Sequence, residues 1–306
     1  MQIALYHTCI DTLFHLCILF PNTNYLMQYR PRSTNKKATG EKIMTTPASN
    51  SILEPELVTV PAGRFIMGTT QEAVTQAGFP WSKTLDDETP QQTLTLPTYQ
   101  IGHYPVTNAQ YKQFIRETGA STPSYWGTPD DFPVSGVSWY EAVAYCRWLA
   151  ETTGKPYTLP SEAEWEKAAR GPDGYLWPWG NAWDAKHYEV RGRGKTRFVG
   201  CTSKLGSDSP CGAADMIGNV WEWTRSVHRP YPYDPENPED SPAAAMAALD
   251  HWLARADKQT ASAAPRVYRG CPQHCQEIYT RATVRGAYNP AHTRGSLGFR
   301  VALPEG

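Results

Sequence analysis

The chain has 306 residues, a formal net charge of −1 and a mean hydropathy of −0.53. Such a charge balance offers nothing to a polyanion, so no nucleic-acid partner is expected, and no apolar run reaches the ~20 residues of a membrane-spanning helix. Eleven tryptophans and seventeen tyrosines, with 26 prolines and 23 glycines, exclude a plain helical bundle and indicate a loop-rich fold with aromatic anchors.

Residues 1–50 read differently from the rest. Their apolar patch, 13–20, is interrupted by His15, and the basic residues Arg30, Arg32, Lys36 and Lys37 follow it instead of preceding it. That makes a poor signal peptide. The segment reads as an upstream extension, polar and disordered over 31–50, with Met44 as a candidate start.

The folded part opens near Leu57. Two short β-type runs, 58–60 and 64–68, are joined by Pro61-Ala62-Gly63 and predict a hairpin. Residues 69–92 read as polar loop, and 92–96 and 99–104 as strands. Thr107 caps a helix with Tyr111, Phe114 and Ile115 on one face, ended by Gly119. Ser138-Trp139-Tyr140-Glu141 is a capping box for a second helix, with Val143, Cys146, Trp148 and Leu149 inward and Gly154 at its end. Ser161-Glu162-Ala163-Glu164 opens a third, with Trp165, Ala168 and Ala169 inward and Gly171 after it. Each cap satisfies otherwise unpaired backbone donors and contributes ~0.5–2 kcal/mol.

Beyond Gly171 the periodicity is lost. Leu176-Trp177-Pro178-Trp179-Gly180-Asn181 reads as an aromatic turn. Residues 182–208 form a long loop that needs something to hold it, and a bound ion would serve. Residues 229–242 are Pro-rich and acidic, and 243–258 are helix-forming, with Met246, Leu249, Trp252 and Leu253 on one face. Short strands and turns over 266–303 carry Arg269, Arg281, Arg285, Arg294 and Arg300, expected to pair with acids and carbonyls inside the domain. The seven cysteines, Cys9, Cys17, Cys146, Cys201, Cys211, Cys271 and Cys275, are odd in number and scattered, with no CxxC. They are no disulfide framework, and a reducing, cytoplasmic setting is expected.

Most of the chemistry lies between Ser209 and Thr224. Gly218-Asn219 favours a turn, which would bring the carboxylates of Asp215 and Glu222 together and point backbone carbonyls inward. Oxygen donors of that kind suit calcium; a tryptophan-anchored turn without metal fits the same residues. Trp221 and Trp223 share one face of an extended segment, and Glu222 takes the other.

Seven phrases occur in order: Val60-Pro61-Ala62-Gly63-Arg64-Phe65-Ile66-Met67-Gly68, Pro105-Val106-Thr107-Asn108, Pro133-Val134-Ser135-Gly136-Val137-Ser138-Trp139, Leu159-Pro160-Ser161-Glu162-Ala163-Glu164-Trp165, Pro178-Trp179-Gly180-Asn181, Asp215-Met216-Ile217-Gly218-Asn219-Val220-Trp221-Glu222-Trp223 and Leu297-Gly298-Phe299-Arg300. In these, residues 57–304 resemble the formylglycine-generating enzyme family, also called the sulfatase-modifying factor domain. The resemblance implies an irregular α+β fold, loop-rich and C-type-lectin-like, in which 229–264 is an inserted Pro-rich and helical segment. It also implies a structural calcium held by the side chains of Asp215 and Glu222 and the carbonyls of Gly218 and Val220. A second calcium loop of the family matches the region after His187-Tyr188. There Glu189-Val190 stands in place of the expected asparagine, and that site is not carried over.

The family's enzymes oxidise a sulfatase cysteine to formylglycine with O₂ and Cu(I) held by two thiolates, soft ligands that suit this ion. Here the matching element is Arg269-Gly270-Cys271-Pro272-Gln273-His274-Cys275. Cys275 falls on the first active cysteine. The second has no counterpart, and Cys271 replaces a glycine. The catalytic candidates are therefore Cys271 and Cys275, which would hold copper between them with His274 close by, form a small-loop disulfide, or stay free thiols. The implied partner is a sulfatase or another protein or peptide substrate. Relatives with iron-dependent sulfur chemistry carry an extra helical domain with histidine ligands, and neither 1–50 nor 229–264 has a histidine cluster. The alternative is a non-catalytic, lectin-like binding scaffold stabilised by calcium, with 271–296 as its recognition loop.

Overall fold

The computed structural model describes residues 51–80, 83–123, 129–184, 209–255, 263–272 and 275–305. The 1–50 extension, most of the 182–208 loop and His274 lie outside them.

Three helices form where the sequence places them. α2 (Asn108–Thr118), α3 (Trp139–Thr153) and α4 (Glu162–Arg170) follow a shorter α1 (Gln71–Gln76). Thr107, Ser138 and Ser161 each complete a reciprocal capping box, with Gln110, Glu141 and Glu164. Gly119 and Gly154 end their helices in the left-handed conformation, at φ 74° and 73°. A fourth long helix, α5 (Pro242–Leu253), lies within residues 229–264 and stops short of the predicted 258. It docks on α3 through a Tyr140–Trp252 ring stack at 4.7 Å and an Arg147–Asp250 pair at 2.7 Å.

The strands correct one expectation. β1 (Leu57–Val60) and β2 (Gly63–Met67) do not form a hairpin with each other. β1 pairs with β4 (Tyr99–Gly102), and β2 with β3 (Gln92–Leu96). Pro61-Ala62 hands the chain from one sheet to the next, because the two runs find longer-range partners. Residues 69–92 are not all loop either: they hold α1 and a 3₁₀ turn at Lys83–Glu88. The predicted strand from 99 ends at Gly102.

β9 (Ala302–Pro304) completes the β1–β4 sheet. A four-stranded sheet runs in the order β7 (Arg285–Tyr288), β6 (Arg266–Arg269), β5 (Trp221–Val227), β8 (Leu297–Phe299). In it β5 and β8 are parallel and the other pairs antiparallel.

Two apolar clusters fill the molecule. One joins α2, α3 and α5 to Trp223, Leu297 and Phe299. The other joins β2, β4 and α4 to Ala213, Met216, Ile217 and Cys271. Trp221 packs against both, so the segment from Asp215 to Trp223 lies at their junction.

Candidate functional site

The 215–223 segment bends as expected. Asp215, Gly218 and Asn219 take φ values of 55°, 102° and 60°, which curl the backbone tightly. Asn219 Nδ2 donates to Asp215 Oδ2 at 3.1 Å. From Trp221 the chain is extended. Trp221 and Trp223 both meet the ring of Tyr268, at 4.9 and 6.2 Å, while Glu222 points the opposite way.

What Glu222 meets there was not expected. Arg300 Nε donates to its Oε2 at 2.6 Å and Arg300 Nη2 to its Oε1 at 2.8 Å; Trp165 Nε1 adds a bond to Oε2 at 2.7 Å. Glu222 and Arg300 are both 0% exposed. The same guanidinium donates to the carbonyls of Ala214 at 2.9 Å and Gly102 at 2.8 Å. Arg300 therefore ties both ends of the bend to each other and to β4.

The expected calcium donors are all oxygen, as calcium requires. Their net charge is smaller than two carboxylates alone would give, because Arg300 balances Glu222. The Val220 carbonyl faces the backbone of Gly270: a Cβ there would lie 3.2 Å from Val220 O and 3.4 Å from Met216 O. With φ at 85° as well, position 270 suits glycine. Among the described residues no three His, Cys, Asp or Glu side chains converge as a metal-binding group, so a cation at this bend needs the carbonyls.

Gly270 also leads to the cysteines. Glu222 pairs in register with Arg269, which sets the start of the cysteine loop beside the bend. Cys271 and Cys275 are joined as a disulfide, with sulfurs 2.02 Å and Cα atoms 6.3 Å apart. Of the arrangements open to the sequence, the small-loop disulfide is the one present. Cys271 is 0% exposed and Cys275 half-buried, and both belong to the second apolar cluster.

The loop's base is held by ion pairs. Arg269 Nη1 donates to Thr283 O at 2.8 Å, clamping the two ends of the loop together, and its Nη2 donates to Glu166 Oε2 at 2.6 Å and to the Tyr231 hydroxyl at 2.9 Å. Glu162 lies 2.8 Å from Arg269 and accepts two bonds from Arg285, at 2.6 and 2.8 Å. Arg281 forks onto Glu88 at 2.7 and 2.8 Å. Burial disfavours charge on Arg269, and Tyr231, Glu162 and Glu166 more than offset it, so its pKa moves up and it stays charged. The arginines at 269, 281, 285 and 300 thus find acids and carbonyls inside the domain, as expected, while Arg294 is exposed. Of their partners, Glu162 reads in the sequence only as a first-turn residue of α4, and Glu166 carries no reading of its own; the signal for their role is an acid at i and i+4 on an otherwise buried helix face.

A family model described as "Sulfatase-modifying factor enzyme 1-like domain" matches residues 43–304. Hercynine oxygenase of Mycolicibacterium smegmatis is 32% identical over 57% of this chain and 46% of its own length. A formylglycine-generating enzyme of Bos taurus is 27% identical over 81% of this chain and 74% of its own. A mouse protein named inactive C-alpha-formylglycine-generating enzyme 2 is 27% identical over 83% and 87%. The chain spans less than half the length of its first curated relatives, from 40% to 46%. Among solved structures, PvdO from Pseudomonas aeruginosa aligns with a TM-score of 0.60 at 24% identity, covering 81% of this chain and 94% of PvdO. Treponema denticola variable protein 1 aligns at 0.61 and 21%, covering 84% and 99%. These two likenesses bear on the fold alone.

Proposed function

Because this chain belongs to the sulfatase-modifying factor enzyme 1-like family, we propose that it is a formylglycine-generating-type oxidase whose redox pair is Cys271 and Cys275. Its substrate on this reading is a cysteine in a sulfatase-type protein or peptide. The supporting observation is that the two sulfurs are close enough to bond, on a loop whose ends Arg269 clamps. Reduction takes up two electrons and two protons and frees two thiols held near each other. Two thiolates suit Cu(I), so Cys271 and Cys275 would hold it, and copper would supply the activation of O₂. Arg269, Glu162 and Glu166 keep the loop base in place, and Gly270 lets the loop start against the bend.

Calcium belongs to the same proposal. Asp215, the carbonyls of Gly218 and Val220, and Glu222 shared with Arg300 would be its ligands, adding to the hold that Arg300 already has on the bend.

A second reading is favoured by a different observation. Cys271 is fully buried, and the disulfide engages both sulfurs. On this reading the bond is a staple and the domain is a lectin-like scaffold without chemistry. Reduced, copper-loaded protein incubated in air with a Cys-x-Pro-x-Arg peptide distinguishes the two. The oxidase converts the peptide cysteine to the aldehyde seen by mass spectrometry, and Cys275→Ser abolishes this. No conversion, with no Cu(I) binding that depends on Cys275, leaves the scaffold.

A further inference from the structure

Arg170, Arg225, Arg269, Arg281, Arg285 and Arg300 are all buried, and each meets a carboxylate within ion-pair distance. Arg266 is buried too, and among the described residues it meets none. It opens β6, and its one hydrogen bond there runs from Nη1 to Arg225 O at 2.7 Å. Its Nε is closed off from solvent and has no acceptor. A charged donor left in that way loses its hydration and gains no bond in return.

The guanidinium lies over the Trp139 ring, 4.2 Å from its centroid. That ring is held by a bond from its own Nε1 to Thr224 O at 2.8 Å, and Tyr140 packs on it edge to face at 5.3 Å. An aromatic face relieves a buried cation in part. The acids that act on Arg266 from farther off are Asp240 and Glu239, and Arg229 engages both of them. Burial lowers the pKa of Arg266, and Asp240, Tyr140 and Glu239 offset this only in part. The pKa values of Arg225, Arg269 and Arg285 rise, because the groups around them outweigh burial.

We propose that Arg266 binds the carboxylate of a small-molecule ligand through its Nε–Nη2 edge. Two other arginines show what that edge does in this protein. Arg300 places Nε and Nη2 on the two oxygens of Glu222 at 2.6 and 2.8 Å, and Arg285 places the same atoms on Glu162 at the same distances. Arg266 has the same two donors and no carboxylate of the described chain on them. A carboxylate meets such a fork with both oxygens at once, which a single-atom anion does not. Arg266 supplies one positive charge, which a carboxylate matches and a phosphate dianion exceeds, and Asp240 and Glu239 would repel the dianion more strongly. The side chain keeps 9% of its surface exposed, and the ligand enters from that side. Arg266 and Arg269 stand at opposite ends of β6, so the site is distinct from the cysteine loop and holds whether or not the oxidase reading does.

The test is proton–nitrogen correlation spectroscopy of the full chain, titrated with acetate, succinate and benzoate against chloride at equal ionic strength. The Nε–H resonance of Arg266, assigned through its backbone, should shift in a saturable way with at least one carboxylate. Those of Arg285 and Arg300, already bonded to glutamates, should stay in place. The same carboxylate should raise the wild-type melting temperature. Arg266→Lys keeps the charge but lacks the fork, and should bind about tenfold more weakly. Should that variant fail to fold, the wild-type titration still decides, because a purely structural Arg266 gives no ligand-dependent shift. No saturable shift with any carboxylate, an equal response to chloride, unchanged affinity in Arg266→Lys, or tighter binding of inorganic phosphate would overturn the proposal.

Discussion

Arg300 meets Glu222 in a two-pronged pair, 2.6 and 2.8 Å, with neither side chain exposed to solvent. The pair joins the end of the chain to the bend at 215–223. A buried ion pair adds little over a well-packed apolar substitute, but breaking one side strands the other charge. Arg300→Met should therefore cost about 3–5 kcal/mol. Arg300→Met with Glu222→Gln should lose less than the single variant. Denaturant midpoints measure both, and equal losses would mean that the pair is not coupled.

Asp215 reports on calcium. If the ion binds the bend, calcium raises the melting temperature of the wild type, by the equivalent of about 2.7 kcal/mol at a hundredfold excess over Kd. Asp215→Ala should remove most of that increment while folding normally in chelator. A melting curve that ignores calcium in the wild type would leave the bend to Arg300 alone.

Cysteine mapping separates two of the described environments. Cys146 is fully buried, and burial pushes its thiol pKa up, so it should resist alkylation in the native state. Cys271 and Cys275 should be labelled only after reduction. Peptide mass spectrometry before and after reductant reads both outcomes. Labelling of Cys275 without reductant would contradict the bonded pair.

The acid side of the stability profile should follow the buried glutamates. Burial alone would raise the pKa of Glu166, but Arg269 and Arg170 outweigh it and hold the carboxyl below its usual value. Glu164 is likewise raised by burial and lowered further by Arg225. For such groups the unfolded chain takes up protons first as pH falls. Their contribution is full above roughly 4.3, the unfolded value for glutamate, and is lost as pH drops through the folded values. Urea midpoints between neutral and acid pH should fall along that limb. Glu164→Gln should start lower and slope less, and parallel profiles would count against the assignment.

Gly298 lets β8 approach the Val134 backbone. A Cβ at that position would stand 2.3 Å from Val134 O, an atom that cannot rotate away. Gly298→Ala should destabilise by about 1–3 kcal/mol, the usual cost of overpacking. Thermal melts check this, and a neutral outcome would mean that the strand can shift.

Much of the local structure could be read in advance. The boxes at Thr107, Ser138 and Ser161 and the stops at Gly119 and Gly154 are decided within three or four residues, by hydrogen bonds the chain makes with itself. The bend at Gly218-Asn219 and the division of Trp221 and Trp223 from Glu222 are local in the same sense. The seven ordered phrases brought the family with them.

Partnership across the fold was a different matter. Alternation marks β1 and β2 as strands but carries no address, so the predicted hairpin gave way to β4 and β3. Which acid each arginine would meet, and that Arg300 would answer Glu222 across 78 positions, were equally invisible. A side chain states its charge and reach in the sequence. Its partner is settled only when packing brings distant segments together and burial makes an unmatched charge too costly to keep.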